Sequence, residues 1–350
     1  MSPSTALVDV PLRIVLTGAK PGERVAFHAS ALGLTQQRFR SSVEVRADAH
    51  GVARAPMSLL SSMRPADPEL GYGDVVPWRG ERVTITADGA SGSLRWLVRS
   101  PGVKETRLRP KRDGFYGDFF RGRSGPAVLL FGGSEGGLSG EEEAALLASR
   151  GFPTLALAYF GEPGIGDDLF RVPLEYFARA ARWLSAHTGG GRVAVYGVSR
   201  GSEAAQLLGV HYPQLVGKVV ALVPGNVVLC SHPGCGGAAW TLHGQAIPFQ
   251  DGFGPGGPAP IPDERIRAPL FMVCGGGDLI WPSCPMAESI VARRKGLPTT
   301  LLRYPDAGHG AGDLLPNVPV WSQYTQGFER SSNPRARRDA WPKLLAFLAG

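Results

Sequence analysis

No apolar run in the 350 residues reaches the roughly 20 residues that a membrane-crossing helix needs, so no membrane span is expected. No secretory leader is expected either. Met1-Ser2-Pro3-Ser4-Thr5 has no basic segment, and the next apolar stretch is broken by Asp9 and Pro11. Cysteine is scarce, with Cys230, Cys235, Cys274 and Cys284 alone. The expectation is a cytoplasmic protein whose thiols stay free in a reducing compartment. Cys230 and Cys235, with His232 between them, match no zinc spacing and lack a second ligand pair, so no metal site is expected. The formal charge of +7 is carried mainly by arginine and bears on anionic partners and solubility. No Lys/Arg run interleaved with aromatics accompanies it, which argues against nucleic acid.

A hydrophobic content of 43% and a charged content of 19% describe a globular protein. Its length suits two domains, and 48 glycines and 30 prolines imply many turns. The first hundred residues read as β. Ser42–Arg46 and Arg82–Ala87 alternate apolar and polar residues, and Leu94, Trp96 and Val98 repeat the pattern. Half-buried antiparallel strands need a second layer, so residues 1–105 are expected to form a β-sandwich. Residues 61–80, rich in Pro, Gly and Asp, read as an irregular loop.

From about residue 126 apolar strand-like runs alternate with helical stretches. The strand candidates are Pro126–Phe131, Thr154–Phe160, Val193–Tyr196, Lys218–Val223, Leu270–Cys274 and Thr299–Tyr304. Ser139-x-x-Glu142 reads as a capping box opening a helix to Arg150. Leu174, Phe177, Ala181 and Leu184 form a helical stripe, and a last helix carries Trp341, Leu344, Leu345 and Phe347 inward. This alternation implies a doubly wound, mostly parallel sheet over residues 106–350, of the α/β-hydrolase kind, with an irregular insertion at 224–266 near the site.

Gly197-Val198-Ser199-Arg200-Gly201 falls between a strand and a helix, where a sharp turn can lift a serine hydroxyl above a sheet. Alone, G-x-S-x-G is a weak pattern; its strand–turn–helix setting gives it weight. Such a serine needs a base and an acid in the chain order Ser, acid, His. His309 follows the last strand in Asp306-Ala307-Gly308-His309-Gly310, whereas His232 and His243 lie in the insertion. Asp278 follows the Leu270–Cys274 strand through Gly275-Gly276-Gly277; Asp306 is its competitor but sits only three residues from His309. The oxyanion donors are expected to be the Arg200 N–H and that of Gly133 or Ser134 in Gly132-Gly133-Ser134-Glu135-Gly136-Gly137. The same loop lacks the Lys-Ser/Thr of a phosphate-binding P-loop.

Several strings together resemble the acyl-CoA thioesterase / bile acid-CoA:amino acid N-acyltransferase family. They are Leu155-Ala156-Leu157-Ala158-Tyr159-Phe160, Pro173-Leu174-Glu175-Tyr176-Phe177, Asp278-Leu279-Ile280-Trp281-Pro282-Ser283, Ala307-Gly308-His309 and Trp341-Pro342-Lys343. The alternating N-terminal strands, with Gly18 to Gly22, are similar to the family's β-sandwich domain. The resemblance implies an acyl-CoA or carrier-bound acyl thioester as substrate, a covalent acyl-enzyme, and no metal or cofactor. Serine at the nucleophile leans toward hydrolysis; cysteine there favours transfer to an amine. Two stretches depart from the family, Gly310-Ala311-Gly312-Asp313 and the region Ser231–Phe249, and both bear on which acyl group is taken. The open alternatives are transfer to an amine or alcohol acceptor, a carboxylesterase or peptidase with the same triad, and a non-catalytic acyl-binding protein.

Overall fold

The computed structural model describes residues 1–33, 36–67, 72–74, 80–123, 125–252, 259–322 and 332–350. The N-terminal part is built on a six-stranded sheet ordered Thr5–Leu7, Ala90–Leu97, Arg82–Ala87, Arg24–Leu32, Arg38–Arg46, Arg64–Pro65. The Ile14–Thr17 and Val52–Ala55 strands form a separate antiparallel ribbon. Period-two alternation sorts the side chains: Val25, Phe27, Ala29 and Ala31 are buried from one strand, Val83, Ile85 and Ala87 from its neighbour. The stretch expected to be an irregular loop contributes strands instead. Arg64–Pro65 joins the sheet edge, and Tyr72–Asp74 pairs antiparallel with Val320–Ser322 near the far end of the chain. Partners distant in sequence supply those ladders, so no local pattern announces them. The remainder of that stretch, 68–71 and 75–79, lies outside the described residues.

The second sheet has eight strands, labelled here in chain order: β1 (Glu105–Leu108), β2 (Tyr116–Phe120), β3 (Val128–Phe131), β4 (Thr154–Ala158), β5 (Val193–Val198), β6 (Val216–Leu222), β7 (Leu270–Gly275) and β8 (Thr299–Tyr304). Their spatial order is β1-β2-β4-β3-β5-β6-β7-β8. Pairing is antiparallel at β1–β2 and β2–β4 and parallel from β4 onward. The helices are α1 (Glu141–Ser149), α2 (Leu174–His187), α3 (Arg200–His211), α4 (Ser283–Arg293) and α5 (Asn333–Ala349). This is the α/β-hydrolase fold that the strand–helix alternation implies. Strands covered on both faces read as continuous apolar runs, and every residue of β3 and β4 is buried.

The sheet separates two cores. Leu129, Phe131, Val195, Ala221 and Met272 face α2 and α3, while Leu130, Tyr196, Val220 and Phe271 face the other way. The second group joins Val8, Phe27, Leu60 and Trp96 of the N-terminal part and Trp341 and Leu344 of α5 in one cluster. Asp9 marks the junction. Its carboxylate accepts hydrogen bonds from Arg150 Nε at 2.6 Å, from Arg150 Nη2 and from the Trp341 indole N–H at 2.9 Å.

Two local expectations are corrected. The capping box does not form: α1 begins at Glu141 behind Gly140, which has φ 78° and gives no side-chain cap. Ser139 instead packs against Gly132, and Glu141, Glu142 and Glu143 face the positive end of the helix dipole. Nor are the thiols free. Cys230–Cys235 and Cys274–Cys284 are disulfide-bonded, with Cα–Cα separations of 5.2 and 5.0 Å. Such bonds persist in oxidising surroundings, so the argument for a cytoplasmic location from free thiols falls away. Among the described residues no helix is long and apolar enough to cross a membrane.

Truncating Asp9 to Ala takes the acceptor from the buried Trp341 indole and from both nitrogens of the partly exposed Arg150 guanidinium. We expect a loss of roughly 1–3 kcal/mol in unfolding free energy, measured by chemical denaturation, with little change in turnover because no site residue moves.

Candidate active site

Three strands of the parallel sheet deliver the site from their carboxyl ends. β5 ends at Val198, and Ser199 follows with φ 54° and ψ −122°, a conformation strained for any residue with a side chain. Neighbouring glycines make the turn possible. A first side-chain carbon on Gly197 would lie 2.1 Å from the Gly201 carbonyl oxygen, and one on Gly201 would lie 2.1 Å from that of Gly132. The turn is pinned by the Ser199 N–H donating to the Leu222 carbonyl at 3.0 Å.

His309 opens a short 3-10 turn (His309–Gly312) after β8 and is buried. Its Nε2 lies 2.9 Å from Ser199 Oγ and its Nδ1 lies 2.8 Å from Asp278 Oδ2. The other oxygen of Asp278 accepts the N–H groups of Ile280 (3.0 Å) and Trp281 (3.2 Å). Both carboxylate oxygens are therefore occupied, and the acid cannot turn away from the ring. The rejected acid, Asp306, contributes its carbonyl to the Ser332 hydroxyl. His243 sits apart, exposed and 3.2 Å from Glu175.

The loop after β3 lies against the nucleophile. The position of a first side-chain carbon on Gly133 is 2.9 Å from Ser199 Cβ, so only glycine lets the backbone come this close. The buried Tyr159 hydroxyl reaches the carbonyls of Gly132 (3.0 Å) and Gly133 (2.7 Å). Burial pushes that phenol well above its ordinary range, which keeps it protonated and a donor. In a trans peptide C=O and N–H point opposite ways, so fixing these carbonyls turns the N–H groups of Gly133 and Ser134 to the other side of the loop. The two candidate donors differ in what they find there. The Gly133 N–H donates to Glu135 Oε1 at 2.8 Å, while those of Ser134 and Arg200 have no partner among the described residues.

Several supporting residues had no signal in the linear pattern. The buried Arg200 side chain forms an ion pair with Glu203 at 2.7 Å and donates to the carbonyls of Leu229 (3.1 Å) and Cys230 (2.9 Å). Glu203 accepts in turn from the Leu229 N–H (3.2 Å) and the Trp240 indole (2.9 Å). Burial raises the Glu203 carboxyl, against the pull of Arg200. Gln206 reaches the Gly225 carbonyl at 3.0 Å. The first two turns of α3 thereby hold the 224–266 insertion, whose residues 253–258 lie outside the described set. Trp281 packs on Val227 and Leu229 of that insertion and meets His309 edge-on at 5.4 Å. The Cys274–Cys284 disulfide closes the loop bearing Asp278 and Trp281.

Two outcomes follow. Tyr159→Phe frees the loop carbonyls, so turnover should drop by about tenfold or more with KM little changed, for a donor misplaced only in the transition state. Replacing Cys274 and Cys284 together by Ser should lower stability by about 2–3 kcal/mol through the loop-closure term for ten residues, read as a lower denaturation midpoint.

No family model matches the chain. Curated proteins do. The chain is 27% identical to acyl-coenzyme A thioesterase 6 of Mus musculus, over 97% of this chain and 93% of that protein. It is 28% identical to bile acid-CoA:amino acid N-acyltransferase of Mus musculus, over 88% of this chain and 84% of that one. Among solved structures, the acylaminoacyl peptidase of Pyrococcus horikoshii aligns with TM-score 0.50 and 14% identity, over 76% of this chain and 45% of that one; at that identity the likeness speaks for the fold. By sequence, this chain of α/β-hydrolase fold is similar along almost its whole length to acyl-CoA thioesterases, and over 88% of its length to a bile acid-CoA:amino acid N-acyltransferase.

Proposed function

We propose that the protein is a serine-dependent acyl-thioester hydrolase acting on acyl-CoA or a carrier-bound acyl group. One observation carries the reading: the unbroken contact from Ser199 Oγ through both nitrogens of His309 to Asp278. In that arrangement His309 takes the hydroxyl proton as Oγ attacks the thioester carbonyl, and Asp278 holds the ring and steadies the imidazolium. The tetrahedral oxyanion is stabilised by the Arg200 N–H and a second N–H from the loop after β3, each donor supplying about 3–4 kcal/mol in comparable sites. The C–S bond then breaks, and the thiolate departs with the proton that His309 returns. Water, deprotonated by His309, attacks the acyl-serine, and free acid leaves with Ser199 restored.

The thioester specificity is drawn from the relatives named above, thioesterases and an acyl-CoA-dependent N-acyltransferase. Those N-acyltransferases support one second reading, in which an amine replaces water in the last step. An oxoesterase or peptidase would use the same three residues. A non-catalytic acyl-binding role leaves the geometry of Ser199, His309 and Asp278 without a purpose.

The test is thiol release across a panel of acyl-CoAs of different chain length, with mass analysis of the acyl product in the presence and absence of candidate amines. Free acid is expected, and Ser199→Ala should lower kcat by about 10⁴-fold or more. No thiol released from any member of the panel would sink the proposal; a conjugate formed faster than free acid would replace it with the transferase.

A further inference from the structure

Glu135 plays no part in the relay, yet it stands at the nucleophile. Its Oε1 accepts the Gly133 N–H at 2.8 Å. The point where Gly133 would carry a side chain is 3.0 Å from Glu135 Oε2 and 2.9 Å from Ser199 Cβ, so carboxylate and serine flank the same spot. Glu135 is exposed, which leaves the side chain free to swing into solvent. Gly133 packs directly on Ser199, and Tyr159 turns its amide to the side where Glu135 waits.

We propose that Glu135 is a gate on the oxyanion site: at rest it occupies the Gly133 N–H, and acylation requires it to leave. The proposal rests on Ser199 being the nucleophile. Two effects oppose the reaction while the carboxylate is in place. The amide that would stabilise the tetrahedral oxygen is already engaged, and a fixed negative charge lies beside the point where negative charge must develop. With Glu135 in solvent, the Gly133 N–H is released to act beside the N–H of Arg200, which has no partner among the described residues. Glu135 is thus a positioning residue, acting through the Gly133 amide. The substrate's acyl oxygen is the group that displaces it, and binding and opening become one event.

The full-length protein and its Glu135→Gln and Glu135→Ala variants can be compared by the rate at which a fluorophosphonate probe labels Ser199. The probe's phosphoryl oxygen needs the same amides. The glutamine keeps an acceptor but no charge, and the alanine keeps neither. The expected order of the maximal labelling rate is Ala, then Gln, then wild type, with Ala at least about threefold faster and half-saturating probe concentrations little changed. A purely structural role for Glu135 cannot raise that rate. Labelling in both variants that is no faster than wild type, at unchanged thermal midpoints, would overturn the gate. Should Glu135→Ala unfold, the isosteric Gln variant decides by the same criterion. A wild type that is not labelled at all would overturn the serine-hydrolase reading, and the gate with it, which separates the two failures.

Discussion

Everything at the site depends on a backbone contact: the strained turn at Ser199 pressed against the loop after β3. Ser199 holds φ 54°, a conformation that costs on the order of 1–3 kcal/mol and persists only where surroundings over-determine it. Those surroundings are visible in the close approach of Gly201 to the Gly132 carbonyl, of Gly133 to Ser199, and in the Ser199 N–H bond to Leu222 on β6. Three adjacent parallel strands are thus locked together at their carboxyl ends. A methyl group at Gly133 or Gly201 would push the loop from Ser199 and so displace the amide proposed as the second oxyanion donor.

The same turn reaches outward. Arg200, whose backbone N–H is a proposed oxyanion donor, gives its side chain to the insertion, through Leu229, Cys230 and Glu203. A buried ion pair gains little net stability over an apolar substitute, and its established use is to specify one arrangement. Here the arrangement specified is the seating of residues 225–240 on α3. Trp281 extends it, since its ring touches both the insertion and His309 while its backbone N–H serves Asp278.

Ser199, Asp278 and His309 were legible as candidates because the proposed chemistry demands particular residues at strand ends in a particular order, and the strands showed themselves as buried apolar runs; the three side chains lie in contact. What escaped was whatever depends on proximity in space. The four cysteines form pairs only because β7 meets the start of α4 and because the insertion folds back on itself; spacing alone did not reveal this. Ser139 and Glu142 had the spacing of a capping box, but Ser139 lies against Gly132 and the helix starts after it. Between Gly133 and Ser134 the sequence offered no choice, because the difference lies in Glu135, a side chain two residues on whose direction no pattern encodes.

Hydrolysis and transfer share the first half of the reaction, so the residues of the relay cannot choose between them. The choice lies in what reaches the acyl-serine. On the proposed mechanism the segments placed to shape that access are the insertion and the mouth of the loop after β3, both bonded beside Ser199. Both are attached to the proposed oxyanion donors: the insertion through Arg200, the mouth through Glu135 and Gly133. A change that reshapes the entry for a bulkier acceptor therefore also shifts an amide that stabilises the transition state. On the proposed mechanism specificity and rate are mechanically joined, and the Ser231–Phe249 region, one of the two stretches that depart from the family's pattern, is where the two would have to change together.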